Sequence, residues 1–331
     1  MIRRHWPASR SVHVGAGGLL FWLGARFWVL GLYRDSVANR WLTWRWRRLV
    51  LRRAARAATL GIRFLFAVAP DKLSLFGAEL RGIALDPALA PGRRLRQALT
   101  GTAAEPAWID LFAPLSLSPR ELHLRTDTHW NFAGYLAAYE AICAACGAAT
   151  AAHVATSPSV EIEETLDLGG HVLPPVTERY AHHHILRDAE RVEANALVLY
   201  RERHAAQAFA PGVLVGSRVV YRNDGAGADP RRLLVFGDSY LFQPAGLGPM
   251  LAETFQEVHC VWSARIDWRY VREVAPDILL NEIAERFLRA VPRDAGFRVE
   301  ALAAARVAAA EARRAGRPRR LNRLRRLLGR V

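Results

Sequence analysis

Leu233-Leu-Val-Phe-Gly-Asp-Ser-Tyr240 is the stretch whose reading decides the fold. Four apolar residues in a row, stopped by a glycine, predict a strand buried on both faces. The Gly237-Asp238-Ser239 turn after it would lift the Ser239 hydroxyl to the C-terminal edge of a sheet. A serine there is inert unless a base takes its proton and a third group fixes that base. Asp127-Thr-His129, followed by Trp130 and Asn131, offers an acid and a base within three residues.

The segments around these motifs alternate between helical and strand patterns, as in an α/β sheet. Val37 to Ala58 reads as a helix, with Trp41, Trp44 and Leu51 expected to pack inward and Arg45, Arg48, Arg52 and Arg56 to face water. Ile62 to Ala69 reads as a buried strand, and 95–99 as a short helix. Trp108 to Phe112 is a predicted strand and Phe132 to Ala145 a strong helix. Residues 148–230 carry more Pro, Gly and His, with strand-like runs at 196–200 and 212–221, and read as a β-rich insertion. After the serine come a helix near 247–255, a strand at 257–262, a helix near 269–274, a strand at 277–280 and a helix beginning at Glu282. The chain ends in an alanine-rich helix and an arginine-rich tail, with nine arginines and no acid from Arg313 to Arg330.

The chain has 331 residues, 51% of them hydrophobic, ample for a sizeable core. It carries 46 basic and 31 acidic residues, net +15, and Lys72 is the single lysine. So strong an arginine bias is weak evidence for an anionic partner, and no specific nucleic acid is expected. Three cysteines (Cys143, Cys146, Cys260) do not make a disulfide framework. Cys143-x-x-Cys146 lies in a helical pattern without a second ligand pair, so it reads as packing and not as a zinc site. His182-His183-His184 alternate faces if extended and do not converge on one ion. No cofactor or metal is expected. Near the start, Arg3, Arg4 and Arg10 precede an apolar segment, and Gly18 to Ala25 loosely imitates a signal peptide. Arg26 and several glycines break that segment, so a first strand or hairpin is the preferred reading and a membrane span is not expected.

Thr126-Asp-Thr-His-Trp-Asn131 with Gly134, then Gly237-Asp-Ser-Tyr240, resembles the SGNH hydrolase-like family of alginate O-acetyltransferases and related polysaccharide acetylation proteins. Val68-Ala-Pro-Asp-Lys72, Tyr221-Arg-Asn223 and the stretch from Ala275 to Leu288 extend the resemblance, which covers about residues 12–290. It implies a flavodoxin-like three-layer α/β/α sheet of SGNH type in permuted order, with Asp-x-His ahead of the serine. The 148–230 insertion falls within that domain, and 291–331 forms the helical and basic tail. It further implies Ser239 as nucleophile, His129 as general base and Asp127 as the orienting acid. The Ser239 backbone N–H is the natural oxyanion donor and Arg265 the candidate second one; Trp130 and Tyr240 either stack on sugar or wall the pocket. The implied partners are a polysaccharide acceptor, an acetyl donor and membrane-bound acetylation machinery, and the implied location is the periplasm, with the cytoplasm as the alternative. Two other classes remain open: a non-catalytic carbohydrate-binding scaffold, and a binder of nucleic acid or anionic membrane through the arginines of 45–56 and the tail.

Overall fold

Leu233 to Phe236 lies at the centre of a seven-stranded sheet, and every residue of the run is buried. The computed structural model describes residues 6–7, 11–24, 28–204 and 214–316. Arg3, Arg4, Arg10, Ala25, Arg26 and the tail beyond 316 lie outside the described residues. The sheet strands are β1 (Arg63–Ala69), β2 (Trp108–Ile109), β3 (Ala189–Ala194), β4 (Arg218–Asn223), β5 (Asp229–Gly237), β6 (Phe255–Trp262) and β7 (Ile278–Ala284). Their spatial order is β2-β1-β7-β5-β6-β4-β3. The first five run parallel, while β4 is antiparallel to both β6 and β3. β3 and β4 both come from the segment between 148 and 230, so part of that segment builds the edge of the main sheet. The rest includes a separate two-stranded ribbon of Ser159–Glu164 with Glu178–His183.

Helices cover both faces. They are α1 (Val37–Ala58), α2 (Pro91–Leu99), α3 (Phe132–Cys146), α4 (Leu247–Thr254), α5 (Trp268–Val274) and α6 (Val299–Gly316). Alternation along β5 assigns its residues to the two cores. Leu233 and Val235 pack with α3 and α4, and Leu234 and Phe236 with α1, α2 and α5. The result is the expected α/β/α arrangement around a mostly parallel sheet.

Several elements differ from their sequence reading, each for a local reason. Helix α1 has the predicted bounds, capped by Ser36 whose Oγ accepts from Asn39 N, but it is rotated. Trp46, Leu49, Val50 and Ala57 face the sheet, while Trp41 and Trp44 remain 53% and 46% exposed. Arg53 is also buried, because its guanidinium donates to both Asp294 oxygens (2.6 and 2.9 Å) and to Asn281 Oδ1 at 2.6 Å. Residues 196–200 are not a strand: Asn195 Oδ1 accepts from Val198 N and starts a helix over Ala196–Arg203. The strand at Trp108 stops after two residues, because Asp110 Oδ1 accepts from Phe112 N and turns the chain into a helix at Phe112–Ser116. Glu282 does not open a helix; β7 runs on to Ala284, and a 3₁₀ turn follows over Glu285–Arg289. The segment 15–21 turns at Ala16–Gly18 and pairs Leu20–Trp22 with Val12–Val14, giving the expected hairpin.

Gly134 shows why the motif before α3 carries a glycine. A Cβ there would sit 2.1 Å from the Leu122 carbonyl oxygen and 2.8 Å from Trp130 Cβ. The helix therefore enters against the backbone of the preceding turn, and Asn131 caps it by accepting from Gly134 N at 3.0 Å. Gly134→Ala should destabilise the fold by about 1–3 kcal/mol through overpacking, despite the helix preference of alanine. A lowered urea midpoint with unchanged slope checks this.

Candidate functional site

Two loops carry the candidate residues. The first is the tip 126–130, closed at its base by a backbone bridge between His123 and Trp130 and by Asn131 N donating to Leu122 O at 3.2 Å. The second is the turn at the end of β5, where Ser239 begins a short helix over Ser239–Phe242. Asp238 holds that turn: its Oδ1 accepts from Tyr240 N (3.1 Å) and its Oδ2 from Ala284 N (2.7 Å). Asp238 N in turn donates to the buried Glu282 carboxylate at 3.1 Å. Gly237 is required beneath the turn, since a Cβ there would meet Glu282 Oε2 at 2.7 Å.

The structure brings Asp127, His129 and Ser239 into one line. His129 Nδ1 lies 2.6 Å from Asp127 Oδ1, and His129 Nε2 lies 2.8 Å from Ser239 Oγ. An ionised carboxylate can only accept, so Nδ1 is the donor in that pair, which leaves Nε2 as the ring atom facing the hydroxyl. Asp127 Oδ1 also accepts from His129 N at 2.8 Å, and Oδ2 from Asp167 N at 3.4 Å. Burial alone would push the Asp127 carboxyl up, but the hydrogen bond and charge of His129 and these backbone donors outweigh it. The result lies below the usual carboxylate range. Asp127 is therefore ionised at neutral pH.

Trp130 and Tyr240 are fully buried and do not offer a free stacking face. They pack on each other with ring centroids 4.4 Å apart, and Tyr240 meets the His129 ring edge-on at 4.9 Å. The Tyr240 hydroxyl donates to Thr128 O at 2.8 Å, tying the serine turn to the histidine loop. Burial raises its pKa well above the ordinary value, so it remains a donor. Arg265 is not brought to the serine. Its Nε donates to Arg293 O at 2.6 Å and its guanidinium lies over Phe297, 4.4 Å from the ring centroid. Lys72 is buried, with Nζ donating to the Leu20 and Arg125 carbonyls, and burial lowers its pKa to about 8.

Asp167 has no counterpart in the sequence reading. Its carboxylate accepts from Thr128 N (2.9 Å) and Thr128 Oγ1 (2.6 Å), so it fixes the residue between the acid and the base. It lies 40 residues from Asp127, and no local pattern marks it. Asp167 also lines a cleft of about 430 Å³ beside His129, with Phe132, Glu164, Tyr180, His182 and Gln243. Trp130 Nε1 and Tyr135 Oη, on the cleft wall, lack a hydrogen-bond partner among the described residues.

Among the described residues, two groups each gather three potential metal-ligand atoms: Asp127, His129 and Asp167, and His153, Asp188 and Glu253. In the first, Asp127 and the histidine Nδ1 are already bonded to each other. In the second, Glu253 accepts from the backbone N–H groups of Arg187, Asp188 and Ala189 and lies 2.6 Å from His153 Nε2. In both sets the ligand atoms already take part in hydrogen bonds. His183 stacks on Phe132 while His182 and His184 meet each other, so the three histidines do not gather. All three cysteines are free and buried; burial pushes the Cys143 thiol up to about 12 and Cys146 up to about 11, which leaves them unreactive.

Residues 33–182 match the family model described as the SGNH hydrolase-like domain of acetyltransferase AlgX. Through that stretch the chain is similar to the SGNH hydrolase-like AlgX family. The match includes Asp127 and His129 and ends before Ser239. Solved structures extend the likeness at the level of fold. The O-acetyltransferase domain of Pseudomonas putida AlgJ is 16% identical, with a TM-score of 0.51, covering 89% of this chain and 99% of that one. Bacillus cereus PatB1 is 15% identical with a TM-score of 0.53, covering 76% and 90%. A DHHW family protein from Eubacterium siraeum is 15% identical with a TM-score of 0.51, covering 70% and 80%. Comparison with curated protein sequences gave no match.

Asp167→Ala should loosen the 127–129 loop without touching the Asp127–His129 pair. Ester turnover should fall about 10- to 100-fold, the cost of small misplacement. Comparing kcat of the variant and the wild-type chain on a nitrophenyl ester checks this, and Asp167→Asn should recover part of the loss.

Proposed function

We propose that this protein is a serine-dependent O-acetyltransferase or acetylesterase acting on a polysaccharide. The observation that carries this reading is the Asp127–His129–Ser239 line, closed at 2.6 and 2.8 Å between two loops of the sheet's C-terminal edge. The likeness to the AlgX family model over 33–182 supports acyl transfer as the reaction class.

In the proposed mechanism Ser239 Oγ attacks the acetyl carbonyl carbon while His129 Nε2 takes the hydroxyl proton. Asp127 stabilises the imidazolium that forms and keeps Nδ1 protonated. The carbonyl π electrons move onto oxygen, and the Ser239 backbone N–H at the first turn of the short helix is the natural donor to that oxyanion. Collapse expels the donor's alkoxide, which takes the proton from His129, and leaves acetyl-Ser239. A sugar hydroxyl then enters, gives its proton to His129 and attacks the acetyl carbon, so the ester passes to the acceptor and Ser239 recovers its proton. Water in the same place gives acetate. Transfer and hydrolysis thus share every group, and only the fit of the acceptor in the cleft separates them. Tyr180, His182 and Gln243 are the cleft's polar contacts for a glycan. The expected setting is the periplasm, beside membrane-bound machinery that supplies the acetyl group. No helix among the described residues is long and apolar enough to cross a membrane.

Wild-type protein should release the chromophore from nitrophenyl acetate and accumulate an acetyl group on Ser239, seen by mass spectrometry. Ser239→Ala and His129→Ala should remove both signals. Asp127→Asn leaves the shape but inverts the tautomer, and should cut turnover on the order of 10³- to 10⁴-fold. Equal rates in all four proteins would overturn the reading. Glycan binding that survives Ser239→Ala without any acyl-enzyme would point to a non-catalytic scaffold instead.

A further inference from the structure

On the opposite helical layer from the cleft, α1 and the segment 291–295 enclose a groove of about 550 Å³. Arg45, Arg48, Arg52, Arg56 and Arg293 line it, together with Trp44 and Trp268. No carboxylate among the described residues pairs with any of these five arginines. The one acid in the lining, Asp294, is taken up by the buried Arg53 through both of its oxygens. The groove is thus a concave surface with five uncompensated charges. By contrast, no arginine or lysine among the described residues lines the cleft beside His129, where Glu164 and Asp167 sit.

The outer face of α1 adds a second feature. Val37, Trp41 and Trp44 follow one another at helical spacing, and they are 75%, 53% and 46% exposed. Arg45 and Arg48 lie over the Trp41 and Trp44 rings, with guanidinium carbons 4.6 and 4.7 Å from the centroids. The 22-residue helix contains no aspartate or glutamate. Tryptophan edges and an apolar side chain beside unpaired arginines suit the boundary between lipid headgroups and acyl chains. A soluble polyanion would use the arginines but would leave Val37 and Trp41 in water.

We propose that α1 and its groove form a docking surface for an anionic phospholipid membrane. Arginine guanidinium groups hold headgroup phosphates within the groove, and Trp41 and Trp44 enter the interfacial region. The sheet lies between this surface and the helical layer that bears the cleft, so docking leaves the cleft open to its substrate.

The test uses the full chain and sedimentation with phosphatidylcholine vesicles, with and without phosphatidylglycerol. Wild-type protein should bind only the anionic vesicles, with a blue shift in tryptophan emission. Arg45→Glu/Arg48→Glu/Arg52→Glu should lower the partition coefficient by more than about 100-fold, with ester turnover unchanged. Trp41→Ser/Trp44→Ser should retain binding at low salt, lose the blue shift and release at moderate salt. A tail variant, Arg319→Glu/Arg320→Glu/Arg323→Glu, should bind at least in large part. Failure of the wild-type chain to bind anionic vesicles overturns the proposal. So does loss of binding in the tail variant alone, or a groove that binds polyuronate or nucleic acid but not vesicles.

Discussion

The contact between His129 Nε2 and Ser239 Oγ, 2.8 Å long and 110 residues apart in sequence, is the constraint on which the site depends. It requires two independent loops to agree to within a hydrogen bond. The structure meets that requirement with backbone geometry more than with side-chain packing. Asn131 caps α3 immediately after the loop, Gly134 lets α3 approach Leu122, and Asp238 anchors the serine turn to Ala284. Tyr240 then links the loops directly by donating to Thr128 O. The residues between and beside Asp127, His129 and Ser239 therefore hold these three side chains in position.

Beneath the turn lies a buried set of acids. Asp71, Asp238 and Glu282 act on the buried Arg286, which donates to Asp71 Oδ1 at 2.6 Å, and Glu285 lies beside Asp71. Burial, and then the charge of Asp238, raises Glu282 well above the usual carboxylate range. Glu285 is pushed up to about 7 by burial and by Asp71, although Asp71 N, Gly92 N and Ser74 Oγ all donate to it. Such a network is costly unless satisfied, and it stiffens what it satisfies. Here it lies across the ends of β1, β5 and β7, where the position of Ser239 is set.

Much of this was legible in the sequence because it is local. The apolar run of β5, the bounds of α1 and the pairing of Asp-x-His with Gly-Asp-Ser follow from short-range pattern. What was not legible turned on partners far along the chain. Arginines on every side of α1 concealed that Arg53 points inward, because its neutralising partner Asp294 is 241 residues away. The inward tryptophan is consequently Trp46 and not Trp41 or Trp44. Residues 196–200 read as a strand, yet a five-residue apolar run fits a helix equally, and the cap at Asn195 decides for the helix. Glu282 looked like a helix start because glutamate is rare in a buried strand, and only the serine turn above it explains the placement. Arg265 has the right charge and follows the serine in sequence, and neither of these fixes the direction of its side chain.

The net charge of +15 acquires meaning only through its placement. Had the arginines been scattered as neutral filler, each layer of the fold would carry a similar share. Instead, among the described residues, the cleft beside His129 has none, whereas the groove on α1 has five without acid partners. Coulomb attraction between exposed groups fades beyond roughly 10 Å in physiological salt, so the groove charge acts on what touches that layer and only weakly on what enters the cleft. A compositional bias toward arginine can supply the residues, but it cannot by itself keep them out of one concave surface and gather them in another.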